Sequence, residues 1–370
     1  MKLLNLCPAD ALFLPDDYPI EFVFLYRARI GTERMRVAVR ELSEAFWPVF
    51  GDFRGGTIVY RPCAAEATLE ETTVAGPLAV PDAGEPPWRV VAALRAPKRP
   101  RALCSIHVTQ FNQATAIAIR TSHLVADGYS YFHFVSMLAR MTLSLGAEHE
   151  ATAAFSMPAP THDRAVLRAA RIPNTGDEPT PVEHALQIQV DRLSRALVHG
   201  TVKDASRSTG VRVSINDVLC AITVKRLWER APHAFARELA VTIPIDVRAQ
   251  IAAYGPSYFG NAVWYHRVPF EREQVACMEL AQIAATIRQS MPIVTAESYT
   301  QHLDELVRTQ TPKVYDPSGG CLVTNMSHVP LSLLDFGAGA AACTIPIMKE
   351  KHSAIVMASG SDYILRLAVD

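Results

Sequence analysis

The segment Thr121-Ser122-His123-Leu124-Val125-Ala126-Asp127-Gly128 carries the side chains best suited to proton chemistry in this chain. A neutral imidazole takes up a proton at neutral pH more readily than other side chains. The segment falls where an alternating, strand-like run ends and an amphipathic, helix-like run begins, so His123 projects from rigid elements. Asp127 lies four residues further on, and Gly128 permits a tight or positive-φ backbone. This spacing predicts a base on a rigid turn, with a carboxylate that fixes the shape of the turn. A plainer alternative is a structural histidine followed by an Asp-Gly helix cap. The motif alone does not separate the two.

Other chemistries find less support. There is no G-x-S-x-G elbow for a serine hydrolase. The other eleven of the 12 histidines form no HExxH or paired cluster, so no metal is expected. The seven cysteines (Cys7, Cys63, Cys104, Cys220, Cys277, Cys321 and Cys343) are an odd set with long, irregular spacings and no CxxC pair. That pattern points to a reducing compartment, here cytoplasmic, rather than a disulfide framework. Lys and Arg total 36 against 37 Asp and Glu, a net charge of −1, with no run of five like charges. A near-neutral chain lacks the electrostatic footprint of a nucleic-acid binder. No apolar stretch reaches the roughly 18 to 20 residues that span a bilayer, so no membrane partner is expected. The opening MKLLNLCPAD is too short in apolar residues for a secretory signal.

At 370 residues the chain exceeds the length at which one core stops growing, so two domains are expected. Strands are predicted at Ile20–Arg27, Gly56–Tyr60, Ala67–Thr73, Arg101–Phe111 and Gln113–Thr121. In the last of these, Ala114, Ala116 and Ala118 alternate with Thr115, Ile117 and Ile119. Helices are predicted at Thr32–Trp47 and Tyr129–Leu145. Residues 146–183 are rich in Pro, with one short helical run at Asp163–Arg171, and read as a crossover linker or a surface insertion. Val182–Ser208 reads as mostly helical, and Ser214–Arg230 as a helix capped by Ser214 or Asn216 with Asp217 in its first turn. Strands follow at Leu239–Pro244 and Asn261–Val268, then helices at Glu271–Gln289 and Ala296–Thr311. Four strands end the chain: Cys321–Asn325, Ala342–Met348, Ala354–Ala358 and Tyr363–Val369. Loosely alternating strands and helices make the class α/β or α+β in two layers. The expected division is 1–150, a linker at 151–183, and 184–370.

Several motifs, in order along nearly the whole chain, resemble one family. HLVADGYSYFHF is similar to the HxxxDG signature of the BAHD acyltransferases, within the superfamily of chloramphenicol acetyltransferases and peptide-synthetase condensation domains. Leu6-Cys7-Pro8-Ala9-Asp10 resembles the family's "LSPsD" start, and Val213-Ser214-Ile215-Asn216-Asp217-Val218-Leu219 its "STNDaL" helix start. Asp246-Val247-Arg248 with Tyr258-Phe259-Gly260-Asn261 resembles "NxRxR…yFGN". Asp335-Phe336-Gly337-Ala338-Gly339 resembles DFGWG, with Ala338 in place of the usual Trp. Thr324-Asn325-Met326 stands at the spacing of the family's "TSW". Ser122 occupies the position where condensation domains and chloramphenicol acetyltransferases usually carry a second His, which favours the BAHD-like branch.

The resemblance implies an α/β fold of two chloramphenicol-acetyltransferase-like domains, each a mixed sheet flanked by helices, with an interdomain channel and His123 at its middle. It implies no permanently bound cofactor. The co-substrate would be acyl-CoA or an acyl-carrier protein, and the acceptor a small molecule. His123 would be the general base. Asp127 would point away from the reaction and pair with Arg248, with Gly128 completing the turn. A hydroxyl at the position of Thr324 binds the oxyanion in some members, although a threonine in a strand is otherwise ordinary. Asp335, Gly337 and Gly339 would form a structural turn. The expected function is acyl transfer from a thioester to a hydroxyl or amine of a small metabolite. The alternatives are a stand-alone condensation enzyme using a carrier-bound donor, and a non-catalytic binding module.

Overall fold

All residues from Thr115 to Ser122 are buried, so both faces of this strand must suit an apolar interior. Ala116 and Ala118 belong to a small-residue face that packs with Val91 and Leu94. Tyr131 donates a hydrogen bond from its hydroxyl to the carbonyl of Ile119 at 2.9 Å. The alternation seen in the sequence is therefore a strand covered on both sides.

The computed structural model describes residues 1–14, 19–62, 65, 68–78, 88–97, 102–146, 158–164, 186–232, 235, 238–308, 315 and 317–369. In chain order the elements are β1 (Lys2–Asn5), α1 (Pro8–Ala11), β2 (Pro19–Tyr26), α2 (Thr32–Leu42), β3 (Asp52–Arg54), β4 (Thr57–Tyr60), β5 (Leu69–Thr73), α3 (Trp88–Ala93), β6 (Cys104–Gln110), β7 (Thr115–Ser122) and α4 (Gly128–Ser144). Then come β8 (Gln187–Ser194), α5 (Arg195–Thr209), α6 (Ile215–Arg230), β9 (Glu238–Asp246), β10 (Val263–Glu271), α7 (Arg272–Cys277), α8 (Leu280–Ser290) and α9 (Ala296–Arg308). The last are β11 (Gly320–Asn325), β12 (Cys343–Pro346), β13 (Ser353–Ser359) and β14 (Asp362–Val369). No helix among the described residues is long and apolar enough to cross a membrane.

The chain forms two compact units. The first comprises Met1–Pro179, Ile251–Ala262 and Pro330–Ile347, and the second Thr180–Gln250, Val263–Val329 and Met348–Asp370. The sequence places 251–262 and 330–347 with the second half; in the structure they cluster with the first.

The first unit holds a five-stranded mixed sheet, ordered β12-β2-β7-β6-β5, and a three-stranded sheet, β1-β4-β3. β2, β7 and β6 run antiparallel to their neighbours in turn, whereas β5 pairs parallel to β6. β12 comes from late in the chain and pairs with β2, Thr344 facing Phe24. Opposite α3, an aromatic layer fills the space between α4 and its surroundings. Phe46 is fully buried there, with ring centroids 5.5 Å from Phe134, 5.3 Å from His133 and 5.2 Å from Phe259. The helix expected at Thr32–Trp47 ends at Leu42, and a short 3₁₀ turn begins at Trp47, with Pro48 next.

The second unit is built on a six-stranded mixed sheet, ordered β10-β9-β11-β13-β14-β8. Its core joins Val198 of α5, Leu219 and Val224 of α6 and Ile283 and Ile287 of α8 to Val241, Val323 and Leu365 of the sheet. Ser214 caps α6 as expected: its Oγ accepts from the Asp217 N–H at 3.3 Å, and Asp217 Oδ2 accepts from the Ser214 N–H at 2.6 Å. Arg288 Nε donates to the same carboxylate oxygen at 2.7 Å and ties α8 to the start of α6.

Two expectations are corrected here, and a third falls largely outside the described residues. Val182–Ser208 is helical only from Arg195 on: Gln187–Ser194 is strand β8, paired antiparallel with β14. As an edge strand it buries only Leu193 fully, so its apolar alternation is weak and pairing rather than pattern decides its state. Glu271–Gln289 is two helices, broken where Met278 turns extended and Glu279 recaps α8 with Gln282. Of the run at Asp163–Arg171, the first two residues are non-helical, and 165–171 lie outside the described residues.

Truncating Phe46 to Ala removes the ring that joins α4 to the segment around Phe259. Stability should fall by about 3 to 5 kcal/mol, measured as a lower urea midpoint at unchanged m-value.

Candidate active site

His123 follows directly on β7, and the turn it begins ends at Asp127, the N-cap of α4. Asp127 is extended at ψ −176°, and its carboxylate binds two backbone amides. Oδ1 accepts from the Ser130 N–H and Oδ2 from the Ala262 N–H, both at 2.9 Å. The first bond starts the helix and the second fixes the turn to the segment 258–262. Ser130 Oγ reinforces that clamp, accepting from the Gly260 N–H and donating to its carbonyl at 3.0 Å. Gly128 is the first residue of α4.

His123 is 9% exposed. Phe13 stacks on one face, with centroids 3.7 Å apart and planes inclined by 17°. Nδ1 lies 3.0 Å from Oδ1 of Asn261. The amide nitrogen of Asn261 donates to the carbonyl of His123 at 2.7 Å and to Oδ1 of Asp10 at 2.9 Å. Both of those partners are acceptors, so the amide cannot be reversed. Its oxygen must face the imidazole, Nδ1 carries the hydrogen, and the ring's lone pair sits on Nε2. Burial pushes the His123 pKa down from 6.5 to about 4, against opposing contributions from Asp127, Asn261 and Asp10. At neutral pH the group is a neutral imidazole of defined tautomer.

Asp10 is fully buried. Its Oδ2 accepts from the Cys7 N–H and thiol, each at 3.1 Å, and from Arg164 Nε at 3.0 Å. Burial, aided by Asp10, pushes the Cys7 thiol up, so Cys7 remains a protonated donor.

The other sequence candidates sit each within its own unit. Arg248, in the second unit, is buried and bonds Asp246 through Nη1 at 3.0 Å. Thr324 stands near the end of β11 opposite Ile355, beside Asn325, which donates to Asn216 at 3.0 Å. Asp335 belongs to the first unit. Its Oδ1 accepts from the N–H groups of Gly337, Ala338 and Gly339 at 2.7, 3.0 and 2.9 Å. Gly337 and Gly339 have φ of +103° and +77°, which that nest of amides requires. Phe336 anchors the loop edge-on against Tyr26. Sequence reasoning quoted Asp10 and Asn261 within motifs without giving either a role, and read Arg164 as linker. An asparagine directly after Phe259-Gly260 in a family-like run was the available signal for Asn261. Nothing local marked Arg164.

A mixed sheet flanked by helices in each unit is the fold of the BAHD-like acyltransferases. Solved structures share it over the whole chain at low identity. Vinorine synthase matches with a TM-score of 0.73 at 15% identity, covering 100% of this chain and 90% of that one. TRI101 of F. graminearum, complexed with coenzyme A and T-2 mycotoxin, matches at 0.75 and 12%, covering 100% and 95%. The first condensation domain of the calcium-dependent antibiotic synthetase matches at 0.67 and 15%, covering 100% and 92%. No curated protein matches by sequence. A match to the Transferase family spans residues 89–362, and the chain belongs to that family.

Replacing Asp127 by Asn leaves one acceptor for two backbone N–H groups and turns an amide N–H₂ against the other. Loss of about 1 to 3 kcal/mol of stability is expected, measured by chemical denaturation.

Proposed function

We propose that this protein transfers an acyl group from a thioester to a hydroxyl or amine of a small acceptor, with His123 as general base. The observation that carries the reading is the Asn261 contact, which puts the hydrogen on Nδ1 and the lone pair on Nε2 of a buried, neutral imidazole. Nε2 removes the proton from the acceptor's O–H or N–H as that atom attacks the thioester carbonyl. A carbon–oxygen or carbon–nitrogen bond forms, and the carbonyl electrons move onto oxygen. The oxyanion collapses, the carbon–sulfur bond breaks, and the departing thiolate recovers the proton from the imidazolium. No covalent acyl-enzyme is needed, because both substrates are held together.

Coenzyme A is the favoured thiol carrier, since TRI101, of the same fold, was crystallised with it. The likeness to a condensation domain makes a carrier-protein donor the second reading. Turnover with an acyl-CoA panel and with acylated carrier protein separates them, and a strong preference for the carrier removes the coenzyme A version. A protein that releases thiol from neither, with any of a broad panel of alcohols and amines, is the binding module instead.

His123→Ala should lower kcat/KM for thiol release by about 10² to 10⁴, and equal rates in the two proteins refute the base. The pH dependence follows from burial of the ring. The deprotonated form is the active one, and its pKa is pushed down to about 4. So kcat/KM should be level from about pH 8 to about pH 5 and fall only as pH drops through about 4, with folding checked by circular dichroism at each pH. An acid limb near 6.5 would mean a solvated histidine.

A further inference from the structure

The crossover between the two halves does more than span a distance. Its described part, 158–164, runs beside the 257–259 segment. The Thr161 N–H donates to the Ser257 carbonyl, and the Phe259 N–H donates to the Thr161 carbonyl, both at 2.8 Å. His162 Nε2 donates to the Ala45 carbonyl at 2.7 Å, its ring edge-on to Trp47 and Phe259. This clipped strap delivers Arg164 into the interior, where its side chain is 7% exposed and that of Asp10 is 0%.

The guanidinium makes two bonds that converge on Asn261. Nε donates to Asp10 Oδ2 at 3.0 Å, and the other carboxylate oxygen of Asp10 receives the Asn261 amide. Nη1 donates to the Phe259 carbonyl at 2.6 Å, two residues before Asn261. The Tyr258 ring lies 5.1 Å from the guanidinium carbon. Gly260, at φ +154°, provides the seat: a Cβ there would come within 2.3 to 2.4 Å of guanidinium atoms. A buried ion pair is a weak source of net stability, because desolvation offsets the attraction. It does fix geometry well, since the planar guanidinium holds two different acceptors, Asp10 Oδ2 and the Phe259 carbonyl, at set directions.

We propose that Arg164 is a positioning residue for His123. It holds the Asp10 carboxylate in place, Asp10 holds the Asn261 amide in its donor-to-acid orientation, and the amide oxygen holds the imidazole in the Nδ1–H tautomer. The proposal rests on the reading of His123 as the base. It adds that the base is set from the crossover, four side chains away from the substrate. Among the described residues of this unit, the charged groups that act on the ring are Asp127 on its own turn and Asp10 at the start of the chain, and Arg164 on the strap in turn faces Asp10, Tyr258 and Cys7. Without Arg164 the Asp10 charge loses its counter-charge and favours imidazolium.

Two measurements on the full chain test this. The first is ¹⁵N NMR of histidine-labelled protein, with the His123 signals assigned by their loss in His123→Gln. The wild type should show the Nδ1–H form, and a wild-type Nε2–H form overturns the proposal without any variant. Asp10→Asn, Arg164→Gln and Gly260→Ala should each shift the ring toward a tautomer mixture. An unmoved tautomer in those that fold overturns it.

The second is the pH profile of kcat/KM. Arg164→Gln should lower kcat about ten-fold or more, leave KM for the thioester within about two-fold, and raise the acid limb by about one unit or more. Arg164→Lys keeps the charge without the fork, and should restore the limb but only part of kcat. A merely structural Arg164 would lower the amount of folded protein and leave the limb and the kcat per folded molecule in place, which also overturns the proposal. An active His123→Ala enzyme refutes the base itself. An inactive one, with a tautomer indifferent to Arg164, refutes only the relay.

Discussion

A primary amide has a donor end and an acceptor end, and Asn261 has one orientation that satisfies all its neighbours. Its nitrogen meets a carbonyl and a carboxylate, so its oxygen is left for the imidazole. Reversing it would set N–H₂ against Nδ1–H and an oxygen against two acceptors, each a buried mismatch of about 1 to 3 kcal/mol. The state of His123 is therefore not an independent property of that residue. It depends on an asparagine far along the chain, and through it on Asp10.

Dryness makes such a small contact decisive. His123 sits under Phe13, inside a shell where the charged ring is strongly disfavoured. In water a histidine exchanges tautomers and protonation states freely near its ordinary pKa. Here burial keeps it neutral, and one hydrogen bond selects which nitrogen holds the hydrogen. Asp127 contributes differently. Its carboxylate binds amides at two places in the chain, so the turn and the segment that carries Asn261 stay in register. The acid is thus part of the frame that holds the imidazole.

That frame explains why the first unit draws on three separate stretches of chain. Residues 251–262 supply Asn261 and the Ala262 amide, while 330–347 supply the Asp335 loop and β12, which extends the sheet beside β2. Tyr26 of β2 donates its hydroxyl to the Leu334 carbonyl at 2.7 Å, so the late segment is fastened to the sheet at both of its ends. A chain folded as two contiguous halves would lack these pieces in the first one. The packing shows what several of the segments singled out in the sequence physically do.

Much was legible in the residues alone. Alternation over Thr115–Ser122 marked a strand, Ser214 and Asp217 marked the start of a helix, and glycines after Asp335 marked a turn, because each of these is decided by neighbours a few residues away. The place of His123 at a strand-to-helix junction was legible for the same reason. Strand β8 was misread because an edge strand takes its state from the partner it pairs with, not from its own pattern. The break between α7 and α8 escaped because the apolar spacing continues across it. What only the tertiary structure decided is the arrangement around the ring: Asp10, Arg164 and Asn261 are separated by as many as 251 positions, and no spacing rule reports that a carboxylate, a guanidinium and an amide will share one buried site. The sequence determined which side chain could act as a base. The fold determined its tautomer, its dryness and its orientation, since these depend on contacts that exist only once the chain has closed on itself.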